Sequence, residues 1–442
     1  MRWGTRDVVR ATAAAVAVVT LGACAPTTQT PQPPPNPPEN IRLYGTDGNM
    51  ANSVAALLEG YPTALVGMKG TTPLTPLSQS FRDRLRQIDS KLTDNNYAGE
   101  SYDAVVISAL AARIAKSSDP QQIAAQITGV TTRGETCETP KECFDLVAAG
   151  KDIAYKGISL RLGGFTDVGE PSAATYGILR FSGQNTVDAG QTEYVQAGDP
   201  LAGSTKRPPA PGAGGATQAQ LKIGTLLPRT GQLASSGPPM FAAVQLAIND
   251  VNALGGVGGQ PIVYVEGDDG TDPKVAQATV ERLISEGVQI IIGAGASGIS
   301  NAVLPTTVAA GVILFSPCNT AAALTGADDK GLYFRTAPAD DLQATALTNL
   351  IMRDGVEKLA IVARDDAYGK GLMDAVKANL VAAGLTDADV KTMPYTSDAP
   401  DFSGLGDAMK AFGPDGVLII GYDESANAYK ALFTSGFTSR AI

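Results

Sequence analysis

Three short stretches carry side chains that could do chemistry. In "GAGASGIS", Ser297 follows the apolar run "VQIII" and leads into a helical pattern. Glycines there let backbone approach a ligand, and N–H groups with a hydroxyl at a helix N-terminus suit a carboxylate. "SPCNT" follows a second apolar run, "VILF", and offers Thr320 together with the backbone of Cys318. In "YGTDGN", Asp47 follows the run "IRLYG". Each stretch also reads as ordinary turn and N-cap chemistry, and Asp-Gly alone is a turn signal. The chain has no histidine, which excludes a Ser-His-Asp triad, His-ligated zinc and a His general base. "GASG" departs from the G-x-S-x-G elbow, so an enzyme is not expected. Cys24, Cys137, Cys143 and Cys318 are scattered without C-x₂-C spacing, so neither a metal site nor a cofactor is expected.

The elements that must position these residues are legible as alternating patterns. The chain of 442 residues is 44% hydrophobic with net charge −10. That is enough for two or three domains with acidic surfaces, and it argues against nucleic acid as a partner. From Leu221, short apolar runs alternate with helical stretches: "KIGTLL", "PIVYV", "VQIII" and "VILF", then "KLAIVAR", "DVKTMPYT" and "GVLIIGYD". Continuous β-branched runs between amphipathic helices predict doubly wound parallel sheets. Residues 41–198 read as the strand "IRLYG", the helix "MANSVAALLEG", the strand "TALVGM", a mostly helical middle, and late strands "ISLRLGG", "TYGILRF" and "EYVQA". Residues 199–219 are rich in Gly, Pro and Ala without periodicity and predict a flexible linker. The last residues, "ALFTSGFTSRAI", read as a helix, a turn and the start of a strand.

Residues 1–23 hold Arg2, Arg6 and Arg10 before the apolar run "ATAAAVAVVTLGA", a basic region followed by a short hydrophobic one. "LGAC" at 21–24 resembles the lipobox of bacterial lipoproteins, which implies cleavage before Cys24 and lipid on its thiol. A plain secretory signal would look similar. The proline-rich residues 24–40 would form an extended tether. Export implies an oxidising compartment, in which Cys137 and Cys143, either side of a Thr-Pro turn, are expected to form a disulfide.

At "LKIGTLLPRTGQLASSGPPMFAAVQLAINDVNALGGVGGQPIVYV", and on through "IIGAGASGIS", "ILFSPCNT", "YFRTAPAD", "ARDDAYGKGL" and "IIGYDESA", the sequence resembles the branched-chain amino acid (Leu/Ile/Val-type) substrate-binding proteins of ABC importers. The resemblance covers residues 220–442 in the order of the family's N-terminal half. "YGTDGN" and "GEPSAATYGILRF" within 41–198 resemble its C-terminal half. The fold implied is α/β, the type I periplasmic-binding fold: two doubly wound parallel-sheet lobes with a central ligand cleft, here in circularly permuted chain order. Residues 220–338 would form lobe 1 and 339–442 lobe 2, with 41–198 contributing to both. The halves would pair within one chain or, in a swapped arrangement, with a neighbour's.

The resemblance also implies site roles. Ser297, Thr320 and the backbone of Cys318 would hold the α-carboxylate of an amino acid, and Asp47 its ammonium group, where relatives often carry Glu. Tyr368, Tyr422 and Tyr102 would form aromatic walls, and Ser236 would enlarge the side-chain pocket at a position often aromatic in relatives. Cys318 would be a buried, space-filling thiol, and Asp340 would support closure of the lobes. The implied protein is a monomeric solute-binding lipoprotein. Anchored to the outer face of a bacterial membrane by lipid on Cys24, it would pass an amino acid or amide-like solute to an ABC permease. A sensor presenting its closed form to a membrane receptor or kinase would carry the same residues.

Overall fold

In a computed structural model of the chain, the described residues are 39–210, 219–396, 398 and 402–440. The expected leader, Cys24 and most of the tether lie outside them. The first segment runs β1 (Glu39–Gly45), α1 (Ser53–Leu57), β2 (Lys69–Pro73), α2 (Gln79–Ile88), α3 (Ala98–Ala115), α4 (Pro120–Thr132), β3 (Glu135–Cys137), α5 (Pro140–Ala148), β4 (Ile153–Tyr155), β5 (Ala173–Ser182), β6 (Thr186–Val187) and β7 (Glu193–Gly198). The second runs β8 (Lys222–Leu226), α6 (Gly237–Ala253), β9 (Val263–Val265), α7 (Pro273–Ser285), β10 (Ile290–Gly293), α8 (Ser297–Ala310), β11 (Ile313–Ser316) and β12 (Tyr333–Arg335). It continues through α9 (Asp340–Arg353), β13 (Leu359–Arg364), α10 (Ala367–Ala382), β14 (Val390–Tyr395), α11 (Ser403–Phe412), β15 (Gly416–Ile420), α12 (Ser425–Thr434) and β16 (Phe437–Ser439).

Two sheets result. The first, in the order β12-β11-β10-β8-β9, is wholly parallel. β10 and β11 are buried along their length, as their unbroken apolar runs require. The second has the order β14-β13-β15-β1-β2-β5-β6, with β7 also on β5 and β16 on β1. It is parallel from β14 to β2, but β5 pairs antiparallel with β2, β6 and β7, so this sheet is mixed rather than doubly wound throughout. The first sheet is the core of lobe 1 and the second that of lobe 2. Helix α3 crosses to lobe 1, where it packs on α6 and the edges of β10 and β11. It is buried nearly all round, which explains its weak amphipathic pattern.

Local chemistry sets the helix starts. Asp272 and Asp119 each accept backbone N–H groups at an N-cap with proline next in line. Asp366 accepts from the N–H groups of Tyr368 and Gly369, fixing the first turn of α10. The Cys137–Cys143 disulfide forms, with an S–S distance of 2.07 Å. Among the described residues, no helix is long and apolar enough to cross a membrane.

Four expectations need correction. "TALVGM" is a run of turns, because the Leu65 N–H donates to Asn185 Oδ1 at 2.8 Å and short-range turn bonds use the neighbouring N–H groups. The strand begins only at Lys69. "ISLRLGG" is a loop: the N–H groups of Ile158, Ser159 and Leu160 all donate to the buried Asp103 carboxylate, leaving none for a ladder. The helix in "MANSVAALLEG" shrinks to five residues. Residues 199–210, expected to be linker, instead lie docked on lobe 1, and 211–218 of the expected linker lie outside the described residues. Ser204 donates from its N–H to the Phe165 carbonyl at 2.7 Å. Gln126 and Arg133 of α4 and its C-terminus donate to the carbonyls of Pro209 and Lys206. At the far end, Phe437–Ser439 forms a parallel pair with the start of β1, Phe437 opposite Glu39.

The two segments are pinned together by Arg335. Its side chain is fully buried and donates to Glu170 Oε2 at 2.9 and 2.5 Å, to the Ala321 carbonyl at 2.9 Å and to Thr325 Oγ1 at 2.6 Å. Arg335→Met would leave Glu170 with only the Thr325 hydroxyl and strip the Ala321 carbonyl of its guanidinium donor. It is expected to lower unfolding stability by about 3–5 kcal/mol, read as a reduced urea midpoint with an unchanged slope.

Candidate functional site

The site is assembled from loops at the C-terminal ends of strands in both sheets, where open parallel sheets place their ligands. On the lobe 2 side, β1 ends in Thr46-Asp47-Gly48. Asn49 locks this turn: its Oδ1 accepts the Thr46 N–H and its Nδ2 donates to the Ile419 carbonyl, both at 2.9 Å. Gly48 is forced by close approach, since a Cβ there would sit 2.5 Å from the Gly421 carbonyl oxygen. Asp47, only 5% exposed, receives three neutral donors. Tyr97 Oη lies 2.6 Å from Oδ2, and Tyr368 Oη and Gln343 Nε2 each lie 2.8 Å from Oδ1. Burial pushes the Asp47 carboxyl above its ordinary range, and these three donors pull it back.

On the lobe 1 side, the loops after β10 and β11 are stitched together. Asn319 Nδ2 donates to the carbonyls of Ala294 and Gly295 at 3.0 and 2.9 Å, and Ser316 Oγ to that of Ala294 at 2.8 Å. The Gly295 N–H donates to Asp269 Oδ2 at 2.8 Å. Helix α8 starts at Ser297, and Ser297 Oγ accepts the Ala321 N–H at 3.3 Å. Helix α8 has no side-chain cap hydrogen bond, and Gly295 and Ser297 at its start line the space between the lobes, where the helix dipole is positive.

That space is lined by Asp47, Gly48, Tyr97, Leu233, Ser236, Gly295, Ser297, Cys318, Thr320, Tyr368 and Tyr422, around a nearly closed cavity of about 10 Å³. A larger depression of about 470 Å³ beside α2 is open to solvent and is lined by none of these residues. Ser297, Cys318, Thr320, Asp47, Tyr368, Tyr422 and Ser236 therefore come together around one cavity. Tyr102 does not join them. It points from α3 to Asp250 Oδ2 at 2.6 Å and packs edge-on against Phe81. Tyr97 occupies the cavity wall instead. Helix α3 starts at Ala98, which puts Tyr97 in its left-handed N-cap position at φ 58°. The asparagines of "NNY" are the turn signal for that position. Leu233 fills space beside Ser236, so the small serine does not by itself open the pocket. Gln343, one turn into α9, left no trace in the sequence pattern.

Asp340 is wholly buried at the first turn of α9, and its N–H donates to the Thr320 carbonyl at 2.7 Å. Burial, then the charge of Asp47, push its carboxyl well above the usual range. Burial likewise pushes the Cys318 thiol up, as expected of a space-filling rather than a reactive cysteine. Among the described residues, no Lys or Arg lines the cavity. With helix N–H groups and hydroxyls on one wall and a single carboxylate on the other, the arrangement can hold a small solute with opposite charges at its two ends.

The sequence profile described as "Periplasmic binding protein" matches residues 220–442. The Leu/Ile/Val-binding protein BraC3 of Rhizobium johnstonii is 33% identical over 207 residues, 46% of this chain and 55% of that protein. The Leu/Ile/Val-binding protein of Citrobacter freundii is 32% identical over 204 residues, 46% of this chain and 54% of that protein. The chain thus spans about half the length of the curated relatives it matches. The crystal structure of a leucine-binding protein, LivK, from Thermotoga maritima aligns over 50% of this chain and 61% of that one, with 25% identity and a TM-score of 0.45.

Near the site, burial pushes Glu100 up to about 8 from an ordinary 4.5. A carboxyl raised in the folded state adds stability that is complete below its unfolded pKa and is lost as pH rises through the folded one. Folding stability should therefore fall between about pH 4.5 and pH 8, by at most about 1.4 kcal/mol per pH unit for this group. Glu100→Gln is expected to flatten that slope, measured as urea unfolding at pH 5 and pH 8.

Proposed function

The chain belongs to the periplasmic binding protein family, and we propose that it captures a small amino acid between its two lobes, outside the cytoplasm, for delivery to an ABC permease. The observation that carries this reading is the convergence of Ser297, Thr320 and Asp47 on one cavity walled by Tyr97, Tyr368 and Tyr422. In this reading the solute's carboxylate lies at the start of α8, taking N–H groups, Ser297 Oγ and the Thr320 hydroxyl. Its ammonium group meets Asp47, whose three neutral donors leave the fourth lone-pair direction for a cation. The stacked Tyr368 and Tyr422 rings cover the aliphatic part. Relatives named for binding Leu, Ile and Val support the same ligand class.

The binding mechanism is lobe closure. A solute that touches both the α8 loop and Asp47 favours the closed arrangement, whereas one that touches a single lobe shifts nothing. Two further parts belong to the proposal. The chain carries the family's two halves in exchanged order, supported by the profile matching only residues 220–442 while β1, from the other end, lies between β15 and β2. Lipid on Cys24 anchors the protein to the membrane, supported by "LGAC" alone.

Thermal denaturation with each of the twenty amino acids tests the central claim. An amino acid present at 100 times its Kd should add about 2.7 kcal/mol of stability. Asp47→Ala should weaken the same amino acid on the order of 100-fold. A screen in which no amino acid raises the melting temperature would rule the reading out.

A further inference from the structure

The loop after β8 and the turn after β15 belong to different lobes, and they meet outside the cavity. Ser235 Oγ donates to Asp423 Oδ1 at 2.6 Å. The Asp423 N–H donates to the Gln232 carbonyl at 3.1 Å, and Arg364 Nη2 reaches Gln232 Oε1 at 3.4 Å. None of these four residues lines the cavity. They join the loop after β8 in lobe 1 to the end of β13 and the turn after β15 in lobe 2, so parting these loops must break them.

The lobe 2 side of this contact is tied to the site through rings. Arg364 is buried and donates to Asp366 Oδ2 at 2.5 Å and to Glu424 Oε1 at 2.7 Å. Its guanidinium lies 3.8 Å from the centroid of the Tyr422 ring. Tyr422 stacks on Tyr368 with centroids 5.4 Å apart and planes 12° apart. Tyr368 then donates to Asp47. A continuous series of contacts thus runs from the edge of lobe 1 to the carboxylate in the cavity.

The geometry points to a cross-lobe latch. Gln232 and Ser235 on one lobe grip Asp423 and Arg364 on the other, hold the lobes together without touching the solute, and so set how tightly the solute is kept. Arg364 acts in it as a positioning residue, stacked behind Tyr422. The latch rests on the solute-capture reading above only for its effect on affinity. The contact itself is a property of the two lobes.

Ser235→Ala, Asp423→Ala and the double variant of the full chain test it, with L-leucine as the calorimetric probe and small-angle scattering of the ligand-free protein. Each single change is expected to weaken L-leucine about tenfold, since a hydrogen bond to a carboxylate is lost. The double variant should be no weaker than the worse single, because both remove one contact. The radius of gyration should rise in all three. Arg364→Lys keeps the charge but loses the planar stack. It should change the tyrosine near-ultraviolet circular dichroism, which Ser235→Ala leaves alone. Additive losses, or reduced affinity with an unchanged radius of gyration, overturn the latch. If the unaltered protein binds neither L-leucine nor any other amino acid, the functional reading falls. Scattering then decides the latch alone: expansion supports it, and an unchanged profile overturns it.

Discussion

The parallel pairing of β1 with β15 on one side and β2 on the other is the interaction on which the cavity depends. Arg42, Leu43 and Tyr44 lie opposite Gly416, Val417 and Leu418, and Tyr44 also lies opposite Lys69. This puts the ends of β1 and β15 side by side, so that Asp47 and Tyr422 emerge together from opposite ends of the chain. The apolar face formed by Ile41, Leu43, Val417, Ile419 and Val362 holds the strands by burial. The Arg42–Asp415 ion pair at 3.2 Å is partly exposed and adds little. A one-residue slip would turn Leu43 out of this core and Asp47 away from the cavity. The register that stabilises the sheet is thus also the one that makes the site.

How much of this could be read from sequence follows from where each constraint acts. Strands β8, β10, β11, β13 and β15 are continuous apolar runs between helical patterns, and burial on both faces leaves that signature. Ser297, Thr320 and Asp47 were legible because they sit in the turns that end such strands. The misplaced elements were decided by partners far away in the chain. Asn185 takes the Leu65 N–H, and Asp103 takes three N–H groups from the loop after β4. No periodicity records a distant carboxylate claiming backbone donors. Tyr102 and Tyr97 are separated by little more than one helical turn, so which of them reaches the cavity depends on a shift of a few residues along α3. Gln343 reaches Asp47 only because α9 packs against β2, which no local pattern reports. The mixed character of the second sheet was hidden for a similar reason. β5 has an apolar run like that of a parallel strand, and direction is set by the connections.

The charges around the cavity decide what it can hold. Asp47, Asp269, Asp340 and Glu100 are all buried in its neighbourhood, and burial pushes each carboxyl up. The nearby guanidinium groups cannot balance a solute's charge, because Arg335 is committed to Glu170 and Arg364 to Asp366 and Glu424. A simple anion would meet only the dipole of α8 and a few hydroxyls, with four carboxyls close by. A simple cation would satisfy Asp47 but leave the wall at the start of α8 without an anion. On the proposed reading, a solute with a positive and a negative end, set a few bonds apart, answers both walls at once. Selectivity for a zwitterion would then need no charged residue beyond Asp47. It follows from placing one carboxylate opposite an uncapped helix start and committing the arginines elsewhere.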